Sequence, residues 1–319
     1  MTLRPVTIVL CAAFLAFGLA ACSSGYLYND TPPMEFHDVD YSFPTTKALA
    51  DPEVAYIDRG AGPHTLVLVH GLASNAGFWR YNIAELSKTC RVIALDLPGY
   101  GKSGKGDYPY SMTFYAETVA RLISNLGLTK VVYVGHSMGG QIGITLALRH
   151  PEVVERLILV SPAGIEKFDR GEGTWLRNAL TMDGITANSE ENIRRNLAAN
   201  FYTWNDTWEW MVEERTRMAK AKDMKEFSYT VVKCVGAMLD EPTTGRLKDI
   251  TQPTLIVYGK YDGLIPNPYL HPGFPADVFS GGVRAIPRCT LHEVGDAGHM
   301  VHIEKPAEVN AAIRAFLER

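Results

Sequence analysis

The 319-residue sequence is poor in cysteine, with only five, and two of these, Cys11 and Cys22, lie within the first 22 residues. The other three, Cys90, Cys234 and Cys289, are widely spaced and odd in number. They permit at most one internal disulfide, so a disulfide framework is excluded, and their spacing indicates neither a metal site nor a redox motif. We expect buried, unreactive thiols.

The sequence also lacks a strong charge imbalance. Its 31 basic and 35 acidic residues give a formal net charge of -4, which provides no reason to expect a nucleic acid or another polyanion as partner. Internal repeats, low-complexity tracts and long runs of one charge sign are missing as well. With 46% hydrophobic residues, the chain is long enough for one large α/β core with an insertion, or for two modest domains.

The N-terminus has the pattern of a secretory signal, with Arg4 before an apolar stretch from Val6 to Ala21 that is too short for a confident membrane span. The end of this stretch, Leu19-Ala20-Ala21-Cys22, resembles the bacterial lipobox. The resemblance implies a signal peptide over residues 1–21 and an acyl anchor on Cys22, and several acyl chains anchor a protein stably. Serine, rather than the aspartate that retains enteric lipoproteins in the inner membrane, follows Cys22, which favours the outer membrane of a bacterial cell envelope. An ordinary signal peptide or a signal anchor is the alternative.

Residues 22–50 are polar and proline-containing, and we expect a tether that leads into an edge strand.

The most informative stretch is a buried strand, Val131–Val134, that runs directly into Gly135-x-Ser137-x-Gly139. Gln141–Arg149 then has the pattern of a helix. A serine on a sharp turn between strand and helix has its hydroxyl exposed at the sheet edge, and the flanking glycines allow the two elements to pack closely. Ser137 is therefore the candidate nucleophile.

Three other predicted strands end in residues that could complete such a site. The strand Thr65–Val69 runs into His70-Gly71-Leu72-Ala73, and Pro253–Tyr258 is followed by Asp262. The strand Thr290–Val294 precedes Gly298-His299, and a Glu-x-Pro run follows His299 with four residues between them. The order Ser, Asp, His differs from that of chymotrypsin-like and subtilisin-like proteases.

These motifs together resemble the α/β-hydrolase family from about residue 52 to the end of the chain. The resemblance implies a mostly parallel eight-stranded sheet flanked by helices, with a core of residues 51–164 and 249–319 and a helical cap inserted at 165–248. It implies a catalytic triad of Ser137, Asp262 and His299. It also implies an oxyanion hole from the backbone N–H groups of Met138 and Leu72, with Ala73 as the alternative to Leu72. His70 is expected to hold this loop by hydrogen bonds, and His302 is not expected to be catalytic.

A glycine pattern, Gly99-x-Gly101-x-x-Gly104, superficially matches a dinucleotide-binding fingerprint. That fingerprint must open directly into a helix, whereas Lys105-Gly106-Asp107-Tyr108-Pro109 follows here. The surrounding Asp-x-Pro-Gly-x-Gly-x-Ser instead resembles a structural loop common in α/β-hydrolases.

The cap segment contains four of the five tryptophans. Most of its apolar side chains are expected to pack a small helical subdomain, as in the predicted helix Thr207–Lys222. Phe201, Tyr202 and Trp204 are the candidates to line a substrate pocket above Ser137. A third possibility is that exposed aromatic residues of the cap touch lipid beside the anchor. The sequence does not distinguish this possibility from the substrate pocket.

The resemblance favours a serine hydrolase of carboxylic esters, a lipase or carboxylesterase, that needs no cofactor and no metal. Its partners would be a small-molecule or lipid ester as substrate and the membrane through Cys22; the oligomeric state is left open. Serine at position 137 argues against haloalkane dehalogenases and epoxide hydrolases, which use aspartate there. A carbon–carbon bond hydrolase, a thioesterase, an amidase and a ligand-binding protein without catalysis are the alternatives.

Overall fold

The computed structural model describes residues 27–319, so the predicted signal peptide and Cys22 lie outside the described residues. Eight strands form one sheet in the order β1-β2-β4-β3-β5-β6-β7-β8, in which β1 and β2 pair antiparallel to their neighbours and all other pairs are parallel. The strands are β1 Thr46–Ala48, β2 Val54–Arg59, β3 Thr65–Val69, β4 Arg91–Leu95, β5 Val131–His136, β6 Val154–Val160, β7 Thr254–Gly259 and β8 Cys289–Val294. The predicted eight-stranded, mostly parallel sheet is confirmed.

Helices cover both faces of this sheet because its central strands are apolar along their whole length; every residue of β5 and β7 is buried. The core helices are α1 Arg80–Leu86, α2 Met112–Asn125, α3 Met138–Arg149, α9 Pro275–Ala285, α10 Val301–Glu304 and α11 Pro306–Leu317.

Five further helices lie between β6 and β7, the region where the cap is predicted. They are α4 Arg170–Ala179, α5 Met182–Thr186, α6 Glu190–Ala198, α7 Glu209–Met218 and α8 Met224–Asp240. The helix predicted over Thr207–Lys222 is shorter in the structure, and the longest helix of the group, α8, was not predicted. Among residues 27–319, none of the helices has the length and apolarity needed to cross a bilayer.

The segment expected to be a tether is attached to the rest of the molecule by hydrogen bonds from Leu27 onward and is partly buried from Met34 onward. Phe36 and Tyr41 are buried, and the Tyr41 hydroxyl donates to Asp96 at 2.9 Å. The Lys220 ammonium donates to the carbonyls of Asn29 and Thr31 at 2.6 and 2.7 Å. Polar composition and prolines suggested a free linker, but a few large aromatic side chains are enough to fix the segment. The edge strand was expected, and β1 pairs with β2.

The three cysteines of the described chain are all free thiols. Cys90 and Cys234 are buried as expected, whereas Cys289 is only half-buried at the start of the edge strand β8.

Candidate active site

Ser137 occupies a strained turn between β5 and α3. Its backbone, at φ 53° and ψ -118°, is in a region that non-glycine residues rarely adopt. Hydrogen bonds hold this conformation from both sides: the Ser137 N–H donates to Val160 at 3.0 Å, and the Ser137 carbonyl accepts from Gly140 at 2.8 Å and Ala163 at 3.0 Å. The turn leaves the Ser137 side chain in the wall of a cavity.

The turn also requires very close packing of the helix against the sheet. A Cβ on Gly139 would lie 2.4 Å from the Val69 carbonyl oxygen, and a Cβ on Gly135 would lie 2.3 Å from the Gly139 carbonyl oxygen. Both flanking glycines of the motif are therefore needed for steric reasons.

Asp262 and His299 meet where β7 and β8 end. The His299 Nδ1–H donates to Asp262 Oδ2 at 2.8 Å, and the two residues are only 3% and 5% exposed respectively. Asp262 Oδ1 accepts from the backbone N–H groups of Leu264 and Ile265 at 2.9 and 3.1 Å. Because Nδ1 carries the proton, His299 Nε2 is left free to accept one, and His299 lines the same cavity as Ser137.

His136 packs against His299 at a ring distance of 4.8 Å, and His302 packs against His136 at 4.4 Å. The His136 Nε2–H donates to the His299 carbonyl at 3.1 Å. Burial, together with the neighbouring histidines, holds the pKa of His136 well below its ordinary value. Burial lowers the pKa of His302 to about 3. Both rings are neutral at pH 7, so neither places a positive charge beside His299.

The loop after β3 lies directly on the nucleophile. A Cβ on Gly71 would be 2.9 Å from His136 Nδ1 and 3.0 Å from Ser137 Cβ, so the backbone that leads to Leu72 is next to the Ser137 side chain. Met138 is the first residue of α3, and its N–H has no intrahelical acceptor and lies at the positive end of the helix dipole. The two predicted oxyanion donors therefore flank Ser137.

His70 holds this loop by hydrogen bonds from both ring nitrogens, as the sequence suggested. Its Nδ1–H donates to the Gly71 carbonyl at 2.7 Å, and its Nε2 accepts from the Leu97 N–H at 3.1 Å. Burial lowers the pKa of His70 to about 4, which keeps the ring in the neutral form that this pattern needs.

Replacing Gly71 by alanine is expected to displace the loop, because the new methyl group would overlap His136 and Ser137. Since the Leu72 N–H would move from the nucleophile, we expect a loss of about 10²-fold in kcat for an ester, with a small change in KM. Steady-state kinetics would measure it. Gly245→Ala is the matched control, because a Cβ there meets no atom within 4 Å. An unchanged kcat in Gly71→Ala would exclude this loop from the oxyanion hole.

A cavity of about 600 Å³ contains Ser137 and His299 in its wall. Most of its remaining lining is apolar and comes from the cap, including Leu176, Leu180 and Ile185 from one side and Val231, Val235 and Met238 from α8. A concave, mainly apolar site with a few convergent polar groups is typical of a small-molecule binding site.

The aromatic residues predicted to line the pocket, Phe201, Tyr202 and Trp204, are not in the wall of this cavity. Phe201 stacks on Trp208 at 4.5 Å and also contacts Trp204, and the exposed Tyr202 stacks on Tyr261 at 4.4 Å. That prediction is corrected: composition indicated aromatics in the cap but not the direction in which their segment faces.

The reason is that the backbone of this segment, rather than its rings, contacts the catalytic histidine loop. The Met300 N–H donates to the Asn200 carbonyl at 3.0 Å. The Glu304 carboxylate accepts from the N–H groups of Gly298, Tyr202 and Thr203 at 2.6, 3.0 and 3.2 Å. Glu304 therefore ties the cap to the loop of His299.

The sequence profile of the alpha/beta hydrolase fold family matches residues 64–306. The match covers most of the chain and includes the whole arrangement described above. The chain belongs to the α/β-hydrolase family.

Individual relatives agree with this assignment. A 2-hydroxy-6-oxononadienedioate/2-hydroxy-6-oxononatrienedioate hydrolase of Burkholderia vietnamiensis is 30% identical over 277 residues, which cover 83% of this chain and 91% of that protein. The dihydrolipoyllysine-residue acetyltransferase component of the acetoin cleaving system of Cupriavidus necator is 27% identical over 83% of this chain, which spans only 66% of that protein. The crystal structure of a probable hydrolytic enzyme from Pseudomonas aeruginosa PAO1 superposes with a TM-score of 0.79 at 28% identity, over 90% of this chain and 98% of that one.

Among the polar residues that line the cavity of this α/β-hydrolase, a buried cation was missed in the sequence. Arg215 on α7 lines the cavity, and its guanidinium donates to the Ala73 carbonyl in the loop after Gly71. Burial lowers the pKa of Arg215 to about 10, so it stays charged at pH 7. The available signal was its spacing: Arg215 lies four residues after Met211 and three before Met218, on the apolar stripe of the helix.

A second missed residue, His271, joins the cap of this α/β-hydrolase to its core. His271 Nδ1 contacts Glu166 Oε1 at 2.5 Å, and its Nε2 contacts Glu172 Oε1 on α4 at 3.1 Å. Because carboxylates only accept, this arrangement favours the imidazolium form. Burial by itself lowers the pKa of His271, but the hydrogen bonds and charges of Glu166 and Glu172 outweigh it and raise the pKa above its ordinary value.

We expect His271→Asn to destabilise the protein in a pH-dependent manner. A histidine whose pKa is raised by folding stabilises the native state fully below its unfolded pKa, and this contribution is lost as the pH rises through the folded pKa. The variant should lose about 1–2 kcal/mol of unfolding free energy at pH 6 and less at pH 9. Denaturant unfolding at both pH values measures this, with His37→Asn, at an exposed position, as the control. An equal loss at both pH values would show that charge is not involved.

Proposed function

We propose that this α/β-hydrolase cleaves carboxylic esters, as a lipase or carboxylesterase, through an acyl-enzyme on Ser137. The observation that carries the proposal is the 2.8 Å hydrogen bond from His299 to a buried Asp262, in the wall of the apolar cavity that also contains the strained Ser137. Such a constellation suits acyl transfer, because each group has a distinct role in it.

In the first half-reaction, Ser137 Oγ attacks the ester carbonyl carbon while His299 Nε2 takes the hydroxyl proton. Asp262 holds the imidazole in the tautomer this requires and stabilises the imidazolium. The backbone N–H groups of Leu72 and Met138 donate to the oxyanion, each contributing about 3–4 kcal/mol. His299 then gives its proton to the leaving alcohol oxygen as the carbon–oxygen bond breaks.

In the second half-reaction, water attacks the acyl-enzyme and His299 takes its proton. Collapse of the second tetrahedral intermediate breaks the bond to Ser137 Oγ, which regains the proton from His299, and the carboxylic acid leaves. The full cycle consumes the ester and one water, releases the alcohol and the carboxylic acid, and returns Ser137 and His299 to their starting protonation states.

Hydrolysis of a carbon–carbon bond is the second candidate, favoured by the 30% identity to the Burkholderia vietnamiensis hydrolase. Two features of this chain argue against it. The loop His70-Gly71-Leu72-Ala73 lacks the glycine-rich run that carbon–carbon bond hydrolases carry, and Met300 stands where many of them have tryptophan. Thioesterase and amidase activities would use the same triad.

The test is a series of p-nitrophenyl esters of increasing acyl length, given to the purified full chain in detergent, alongside a 2-hydroxy-6-oxo-dienoate. We expect turnover of the esters and slow or no cleavage of the dienoate. Faster cleavage of the dienoate would replace the proposal with the carbon–carbon reaction. No turnover of either substrate, with binding retained, would favour a ligand-binding protein.

We also propose that Cys22 carries a lipid anchor and that the protein resides in a bacterial cell envelope, in the outer membrane. The support is the Leu-Ala-Ala-Cys sequence after an apolar stretch, followed by Ser23. Treatment of the producing cells with globomycin should accumulate the uncleaved precursor. Normal processing in its presence would overturn the anchor.

A further inference from the structure

The mouth of the cavity carries large apolar side chains that no part of the described chain covers. Tyr269 lines the cavity and yet is 80% exposed, and Leu264, also in the lining, is 36% exposed. Trp175 on α4 is 46% exposed and packs against Tyr269 at a ring distance of 6.0 Å. Exposed apolar side chains grouped around a cavity mouth mark an interaction surface. We call Trp175, Leu264 and Tyr269 the mouth patch.

Two exposed basic side chains, with the exposed carboxylate Asp169 between them, precede Trp175 of the mouth patch in the sequence. Lys167 and Arg170 are exposed on the segment that leads into α4. Within residues 27–319, neither forms an ion pair with a carboxylate. Amphipathic aromatic rings beside basic side chains are the composition found where proteins meet the interface of a bilayer.

The position at which the chain enters the structure points to the same partner. The N–H groups of Leu27 and Tyr28 donate to the Glu190 carboxylate at 3.1 and 2.8 Å. Glu190 is only 2% exposed and begins α6, which contributes Ile193 to the wall of the cavity. The N-terminal segment is therefore attached to the cap.

The distance available before this attachment is short. Four residues lie between Cys22 and Leu27, and the five residue-to-residue steps span at most about 18 Å when fully extended. The apolar stretch Val6–Ala21 lies just before them. A membrane that holds Cys22 or this stretch must consequently lie close to the cap rather than to the opposite side of the sheet.

We propose that the mouth patch docks on a phospholipid bilayer and that long-chain acyl esters pass from the bilayer into the cavity. The docking is independent of the chemistry, whereas the long-chain lipid as substrate rests on the proposed ester hydrolysis. The apolar cap lining between the mouth and Ser137 provides the path for an acyl chain.

Docking is tested first without catalysis. The full chain with Ser137→Ala is reconstituted in vesicles of phosphatidylcholine and phosphatidylglycerol that carry nitroxide-labelled acyl chains. We expect the labelled lipid to quench tryptophan fluorescence, and a further Trp175→Phe substitution to remove that quenched component. If the quenched component is the same with and without Trp175, the mouth patch does not reach the bilayer and the docking is overturned. If the mouth patch binds a second protein instead of lipid, the quenched component will likewise be the same with and without Trp175.

Delivery of substrate is tested with two esters, one long-chain ester in the vesicles and one short soluble ester. We expect Trp175→Ala to lower turnover of the vesicle ester by about fivefold and that of the soluble ester by less than about twofold. Trp175→Phe, which keeps an aromatic ring, should retain most turnover of both. Equal losses on both esters would overturn delivery through the mouth. If the wild type hydrolyses neither ester, the proposed function fails, while the quenching result still decides docking.

Discussion

Ser137→Ala is expected to lower kcat/KM for a short soluble ester by roughly 10⁴-fold or more, because the attacking oxygen is removed while the rest of the site stays in place. The residual rate would come from the oxyanion donors and from binding alone. The measurement is p-nitrophenyl ester hydrolysis by the wild type and the variant at equal concentration, after verification that both unfold at the same denaturant concentration.

The Ser137→Ala substitution should leave the backbone of the turn unchanged. Alanine has the same backbone preferences as serine at φ 53°, so the strain of the turn and its hydrogen bonds to Val160, Gly140 and Ala163 are retained. We therefore expect a change in stability of less than about 0.5 kcal/mol. Ser124→Ala, on the exposed face of α2, is the matched control and should keep full activity. Unchanged hydrolysis by Ser137→Ala would remove the proposed mechanism altogether.

The sheet and the turn of Ser137 were predictable because both depend on local sequence. Buried parallel strands are continuous apolar runs, as in β3, β5 and β7, and in the sequence these runs are bounded by glycine, proline or polar clusters. The turn requires glycine at positions 135 and 139 for the close packing that the structure shows. Asp262 and His299 were placed by resemblance, and the structure brings them into contact with one another.

What lies above Ser137 was not predictable, since it depends on how helices without a strand framework pack. Phe201, Tyr202 and Trp204 carry the right chemistry for a pocket, yet the bonds of their segment to Glu304 and Met300 direct them elsewhere. Arg215 and His271 act through partners more than 90 residues away in sequence, Ala73 and Glu166 respectively. No local pattern encodes such contacts.

The same limit applies to the N-terminal segment. Residues 27–50 were expected to form a tether, but Phe36 and Tyr41 fill positions in the core and Glu190 binds the backbone of Leu27. The segment contains four aromatic residues, Tyr28, Phe36, Tyr41 and Phe43, but composition does not indicate which of them are buried against the core. This difference matters for the proposed lipid anchor: a free tether would allow an anchored protein any orientation on a membrane, whereas the packed segment would restrict it to orientations with the cap toward the membrane.

Asp262→Asn is expected to lower kcat by about 10⁴-fold with little change in KM. The reason lies in the two oxygens of Asp262, which have different partners. One accepts from the N–H groups of Leu264 and Ile265, and the other accepts from His299 Nδ1. An asparagine has a single acceptor oxygen, and two backbone donors hold it in place, so its amide group must face His299.

An amide nitrogen donates only, so His299 Nδ1 would have to become the acceptor and its proton would move to Nε2. The imidazole would then be in the tautomer that cannot take the proton of Ser137, although no atom of the site had moved.

Asp296→Asn is the matched control: Asp296 is exposed in the loop before His299, and its φ of 47° is one that asparagine adopts readily. Kinetics of the two variants with the same ester separate the effects, and a loss below about tenfold in Asp262→Asn would show that the His299 tautomer does not limit the reaction. If only Asp262→Asn loses activity and it remains as stable as the wild type, a single carboxylate oxygen of Asp262 is what orients the general base.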